Sequence, residues 1–331
     1  ALRSGEGVAV VVDFEPFQVS NVDLDEFIEG RHEFTTDEWI CVLINTLGLN
    51  PEVYDRRSRM LLLLRLVPLV EANSNMFELG PRATGKTYLY RNISYYTRIF
   101  SGGKVSPAVL FYHGLHRTIG EVGIRDCIVF DEISKINFSE PDEMMGKLKD
   151  YMESGEFERG QLRRARSGCS LVFIGNIEIK DMLPAEDFST IIPKCMRDSA
   201  FIDRINGMIP GWELPKIEQS DIHLTSGYGF ITDYFCEIMH ELRKESLTYY
   251  IAKKVKLEAP PNKVSIRDQK SILKIASGFM KLLSPHNKED RNVLELSMDL
   301  AIEYRQRIHD WLCVLSPGEF KPKTFKYKIK G

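Results

Sequence analysis

Gly80-Pro81-Arg82-Ala83-Thr84-Gly85-Lys86-Thr87 is the stretch whose residue types most clearly imply chemistry. Its spacing, G-x-x-x-x-G-K-[ST], is that of a Walker A loop, whose backbone N–H groups cradle phosphates. Glycines let the chain turn tightly and bring those N–H groups against an anion. Lys86 places a positive charge at the β- and γ-phosphates, and the Thr87 hydroxyl is a ligand for Mg²⁺. All eight residues are candidate contacts for a nucleotide, with ATP and Mg²⁺ the expected cofactors. Such a motif carries meaning only between a strand and a helix. Residues 75–79 read as a short buried strand and residues 88–93 as the continuation of a helix.

A second motif corroborates the first. Cys127-Ile128-Val129-Phe130 followed by Asp131-Glu132 has the form of a Walker B strand, buried on both faces, whose carboxyl end delivers acids to the site. Asp131 is the expected second ligand for Mg²⁺ and Glu132 the group that polarises the attacking water. A third apolar strand, residues 170–174, ends at Gly175-Asn176, where Asn176 can sense the γ-phosphate. Without the two earlier motifs, a turn-forming asparagine would be the better reading. Further on come Asp203-Arg204 and, at the start of a later helix, Ser265-Ile266-Arg267.

The chain of 331 residues is long enough for two compact domains. Its composition is 43% hydrophobic and 27% charged with a net charge of −3, which excludes a globally basic nucleic-acid binder but not a local basic patch. The six cysteines show no C-x-x-C spacing, and Cys127 and Cys169 read as buried reduced thiols of a cytosolic protein. No signal peptide is visible, and the most apolar run, residues 60–70, is too short for a bilayer and is broken by Arg65 and Pro68. Seven histidines include no H-E-x-x-H, so a histidine metal site is not expected.

Taken in order, residues 8–12 read as a strand. Thr35 caps a helix carrying Trp39, Ile40, Leu43, Ile44 and Leu47, stopped by Gly48, and a second helix is expected over 53–72. Residues 97–100 read as a strand ending in an exposed turn at 101–104, and 108–112 as a short helix. Residues 141–152 read as helix and 155–168 as a hairpin with a basic tip. From about 220 the pattern becomes helical: 230–252, 265–283 with Ser265 as N-cap, and 289–312. The lysine-alternating residues 320–330 read as an edge strand or a frayed linker.

The order of these motifs resembles the AAA+ ATPases. More narrowly, residues 23–31, 34–39, 78–82 (Glu78-Leu79-Gly80-Pro81-Arg82), 150–155, 200–205 and 210–216 resemble the Lon-related BrxL family of BREX phage-defence systems. That resemblance covers nearly all of residues 14–315. It implies an α/β AAA+ P-loop NTPase core, a parallel sheet flanked by helices, followed by a helical lid. The expected division is 1–50 an N-terminal remnant, 51–220 the core, 221–315 the lid and 316–331 a basic tail. Carried over by position, Arg204 matches the arginine finger lent to a neighbouring subunit, Arg267 the sensor-2 arginine of the lid, and Asn176 sensor 1. The resemblance further implies a homo-oligomeric ring, a hexamer, in the cytoplasm, with double-stranded DNA and other BREX components as partners and no membrane. Ala83 stands where the family has glycine, which is tolerated if its φ stays negative. Family members carry a Lon-like peptidase domain after the lid; the residues after Cys313 are too few for one, so no peptidase activity is expected of this chain.

Lys104 and the hairpin arginines Arg159, Arg163, Arg164 and Arg166 are the candidate DNA contacts, able to grip phosphates without reading sequence. The competing account of the hairpin is a solvated charged turn paired with Glu156 and Glu158. Two other functions stay open: a Lon-type unfoldase gripping polypeptide, for which Phe100 is the local aromatic, and a nucleotide-regulated scaffold with slow turnover.

Overall fold

Apolar runs that are buried on both faces form the centre of the molecule. A computed structural model describes residues 2–5, 8–11, 22–158, 164–180, 183–184, 187–217 and 220–330. Five strands make one sheet: β1 Met76–Gly80, β2 Thr97–Val105, β3 Cys127–Phe138, β4 Ser170–Asn176 and β5 Gly207–Pro210. Their order is β5-β1-β4-β3-β2, and every pairing is parallel. Alternate residues therefore enter opposite cores. Met76, Val129, Val172 and Ile174 face one apolar cluster, and Phe77, Ile128, Phe130 and Phe173 face the other. Phe130 and Phe173 stack with centroids 5.0 Å apart.

The first cluster is shared by helices from both ends of the chain. Helices α1 Leu24–Arg31, α2 Thr36–Thr46 and α3 Arg56–Leu64 lie on it, and α2 starts with a capping box between Thr35 and Glu38. The helix expected over 53–72 is interrupted: α3 ends at Leu64, and a single turn, Val67–Val70, comes next with Pro68 in its first positions. Proline has no N–H to continue a helix from the preceding turn. After the phosphate-loop helix α4 Lys86–Asn92 and α5 Pro141–Ser154 come the lid helices α6 Thr232–Leu242, α7 Thr248–Lys254, α8 Ile266–Leu283 and α9 Arg291–Leu315. The helix expected over 230–252 is thus two.

Ser265 caps α8 by accepting from the Asp268 amide, and near the carboxyl end of α8 the Leu282 carbonyl accepts a hydrogen bond from Trp39 Nε1 at 2.8 Å. Buried Lys281 sits 2.8 Å from Glu71, just ahead of β1, so α8 is tied to the sheet by charge as well as by apolar area. The tail forms a strand, Lys326–Ile329, antiparallel to Val255–Glu258. Among the described residues no helix is long and apolar enough to cross a membrane.

β2 and β3 run further than their sequences suggested. Instead of ending in a turn at 101–104, β2 continues to Val105, with Gly102 and Gly103 at φ of 69° and 79°. It pairs Ser101 with Asp131, then Gly103 with Ile136. The surplus residues of β3 bulge out between these pairs, and a bulge of this kind re-aims side chains at a site.

Candidate active site

β1 delivers Gly80 to the carboxyl edge of the sheet, where it lies against Gly211. A Cβ on Gly80 would stand 2.6 Å from the Gly211 carbonyl carbon, so only glycine fits. The loop then winds to Gly85 at φ 72° and enters α4. Ala83 departs from expectation: its φ is 65°, in the left-handed region, not negative. An L-residue with a Cβ loses about 1 kcal/mol there. Ala83→Gly is therefore expected to raise the melting temperature by about 2 °C, read by calorimetry.

Lys86 is buried, and its ammonium donates to the Gly80 and Pro81 carbonyls at 3.0 and 2.5 Å. Burial lowers its pKa, while the Glu78 and Asp131 carboxylates pull it back up. The Thr87 hydroxyl donates to Asp131 Oδ2 at 2.9 Å, and Ser101 Oγ lies 3.5 Å from the same oxygen. Next to it, Glu132 has φ 49°, and its carboxylate accepts a hydrogen bond from Lys135 Nζ at 2.8 Å. Asn176 pairs in register with Gly80. Thr84, Lys86, Thr87, Asp131, Glu132 and Asn176 thus line one cavity of about 430 Å³, whose rim includes Arg82.

Sequence reasoning missed the support beneath this loop. Arg65 and Glu78, both fully buried, form an ion pair with Arg65 Nη2 2.5 Å from Glu78 Oε1, and Arg65 Nη1 donates to the Thr84 carbonyl at 3.0 Å. The available signal was a charged residue inside each of two apolar runs. Ser101 was missed because its segment read as a turn.

The two later arginines are not brought to this cavity. Asn206 donates its amide to the Asn75 carbonyl, so Arg204 lies at the amino edge of the sheet, about 15 Å of strand from the loop. Arg204 Nη1 donates to the Ala200 carbonyl at 2.6 Å, and its Nε is 3.5 Å from Glu153. Arg267 binds the same Glu153 oxygen at 2.8 Å and pairs with Asp203. As a sensor of its own protomer's γ-phosphate, Arg267 is misplaced. The start of α8 faces the amino edge of the sheet, where Asp203 and Glu153 satisfy its guanidinium.

Residues 9–326 match the family described as Lon-like protease BrxL-like, ATPase domain. The chain belongs to that family. Two curated relatives, each named Lon-like protease BrxL, are similar along most of it. The one from Escherichia coli O9:H4 (strain HS) is 36% identical over 319 residues, 96% of this chain and 45% of the relative. The one from Bacillus cereus (strain H3081.97) is 39% identical over 315 residues, 94% of this chain and 46% of the relative. The chain spans less than half the length of these relatives. With its sheet and helical carboxyl-terminal part, this BrxL-like ATPase domain has an AAA+ core followed by a lid.

Strands Glu156–Glu158 and Arg164–Arg166 form the expected hairpin. Arg164 and Arg166 are largely exposed and reach Glu156 at 3.6 and 3.1 Å. Arg159 and Arg163 lie outside the described residues. Lys104 is exposed on β2. Phe100 stacks on Phe130 with centroids 5.8 Å apart, so it packs against the sheet where a peptide-gripping loop would present an aromatic.

Proposed function

We propose that this BrxL-like ATPase domain hydrolyses Mg·ATP as a subunit of a homo-oligomeric ring, a hexamer, acting on double-stranded DNA in BREX phage defence. The observation that carries the hydrolytic reading is the 2.9 Å approach of the Thr87 hydroxyl to Asp131 beside a buried Lys86. A hydroxyl and a carboxylate meeting at the mouth of a phosphate loop fit Mg²⁺, a hard cation that takes oxygen ligands and usually keeps several waters. When bound there, Mg²⁺ neutralises charge on the phosphates. Lys86 exchanges its two carbonyl partners for phosphate oxygens. Glu132, released from Lys135, accepts a hydrogen bond from the attacking water, and Asn176 fixes the γ-phosphate from the neighbouring strand end.

The ring is favoured by where Arg204 stands. A guanidinium at the amino edge of the sheet reaches a γ-phosphate only by crossing to another protomer, which requires a head-to-tail contact, and such contacts generate rings when the rotation closes. Arg267, beside it on Glu153, faces the same neighbour.

DNA is favoured over polypeptide by the exposed Arg164 and Arg166 and by the packed position of Phe100. Duplex DNA is therefore expected to raise ATP turnover and unfolded protein to leave it at the basal rate. Arg164→Ala with Arg166→Ala is expected to weaken duplex binding and to flatten the slope of log affinity against log salt by about 2. An unchanged slope, measured by fluorescence anisotropy across a salt series, contradicts the hairpin's role.

A further inference from the structure

A trans peptide plane points its C=O and its N–H in opposite directions. Fixing the carbonyl of one residue therefore aims the amide of the next. In the phosphate loop two consecutive carbonyls are held from the protein side. Ala83 O accepts from the Ile217 amide at 2.8 Å, and Thr84 O accepts from Arg65 Nη1 at 3.0 Å. The next amides along the chain, those of Thr84 and Gly85, are turned the other way, toward the hollow of the loop.

Arg65 can hold that carbonyl only because Glu78 holds Arg65. Both Arg65 Nε and Nη2 bond the Glu78 carboxylate, at 3.1 and 2.5 Å, which leaves the other prong of the guanidinium for Thr84. Glu78 lies in β1 itself, two residues before Gly80, so the brace is anchored in the sheet. The two charges cancel, so the brace adds no net charge beside Lys86. The brace also accounts for Ala83. An alanine left to itself avoids φ 65°, and here the two peptides that follow it are each held at the carbonyl, by Ile217 and by Arg65.

We infer that Arg65, anchored by Glu78, is a positioning residue of the phosphate loop. It pre-aims a loop amide at the phosphates and, one peptide beyond the Ile217 bond, helps to hold Ala83 in its left-handed conformation. The inference rests on the nucleotide reading above and adds to it a residue that touches no nucleotide.

The test is calorimetric titration of the 331-residue chain with a non-hydrolysable ATP analogue, with melting temperature as the control on folding. Arg65→Met with Glu78→Met removes both charges at similar volume, a change that buried ion pairs often tolerate. This pair is expected to melt close to the wild type yet to bind the analogue about tenfold more weakly, because the loop must now be ordered by the ligand. Adding Ala83→Gly to it is expected to recover about threefold or more, since glycine reaches positive φ without a clamp, and to gain less on the braced wild type. Should the double variant not fold, Arg65→Lys, which keeps the charge but has no second prong, is expected to weaken binding in the same way and to be rescued by the same glycine. Binding equal to the wild type, or an Ala83→Gly effect that is the same with and without the brace, overturns the inference alone. A wild-type chain that binds no analogue overturns the nucleotide reading and this inference with it.

Discussion

Arg204→Ala is expected to lower ATP turnover by about 10³-fold or more, with analogue binding changed only a few fold. A guanidinium supplied to a phosphoryl-transfer site from outside is worth roughly 10³–10⁵ in rate, because it meets charge that grows on the transferring group in the transition state. The loss falls on turnover and not on binding, since the ground-state contacts of the phosphates belong to Lys86 and the loop amides. Nor should the substitution unfold the protein. Arg204 makes one short bond, to the Ala200 carbonyl, and its buried Nε has no hydrogen-bond partner among the described residues, the nearest carboxylate being Glu153 at 3.5 Å. Its partners are a backbone carbonyl and the exposed Glu153, and it leaves both to reach a neighbour's phosphate. Arg204→Lys, which retains charge without the planar fork, is expected to fall between wild type and alanine. Turnover within tenfold of wild type, measured by phosphate release at saturating ATP, would remove Arg204 from the site.

The second large effect is at Glu132. Glu132→Gln keeps the shape of the side chain and removes its ability to take a proton or fully orient a water, an effect of about 10²–10⁴ in rate. Among the described residues the only charged bond it breaks is the exposed one to Lys135 at 2.8 Å, and such pairs contribute at most about 1 kcal/mol, so stability should barely change. The variant is expected to bind ATP and hold it uncleaved. Glu132 sits at φ 49° on the bulge that interrupts β3, a conformation that persists only where its surroundings impose it. Turnover at the wild-type rate in Glu132→Gln would favour the slow nucleotide-regulated scaffold over the motor.

Much of this site could be read from residue types and spacing, because phosphate binding constrains the chain locally. A glycine loop between a strand and a helix, and an apolar run ending in two acids, are short-range patterns, and the sheet placed them together as expected. What escaped were properties set at long range. Pro68 in an otherwise helical run marks a break, yet the length of the helical turn beyond that break depended on packing under the sheet. Arg65 and Glu78 looked like interruptions of apolar runs; only the fold shows that they satisfy each other. The φ of Ala83 depends on Ile217, far along the chain. Arg267 occupies a helix start that was foreseen, but which edge of the sheet that start faces is decided by how α8 docks on Glu71 and Leu282. Likewise the glycines at 102 and 103 carry the local signature of a turn, and a parallel partner extended them into strand.

Mixing two inactive variants tests the central claim most directly. Arg204→Ala subunits retain an intact phosphate site but have no guanidinium to give. Glu132→Gln subunits retain the guanidinium but cannot activate water. If the arginine acts across subunits, equal mixtures assembled with ATP regain turnover at about a quarter of interfaces, those in which an Arg204→Ala site meets a Glu132→Gln donor. Mixtures that stay as inactive as either variant alone, although mass measurement shows that they have co-assembled, would contradict the account.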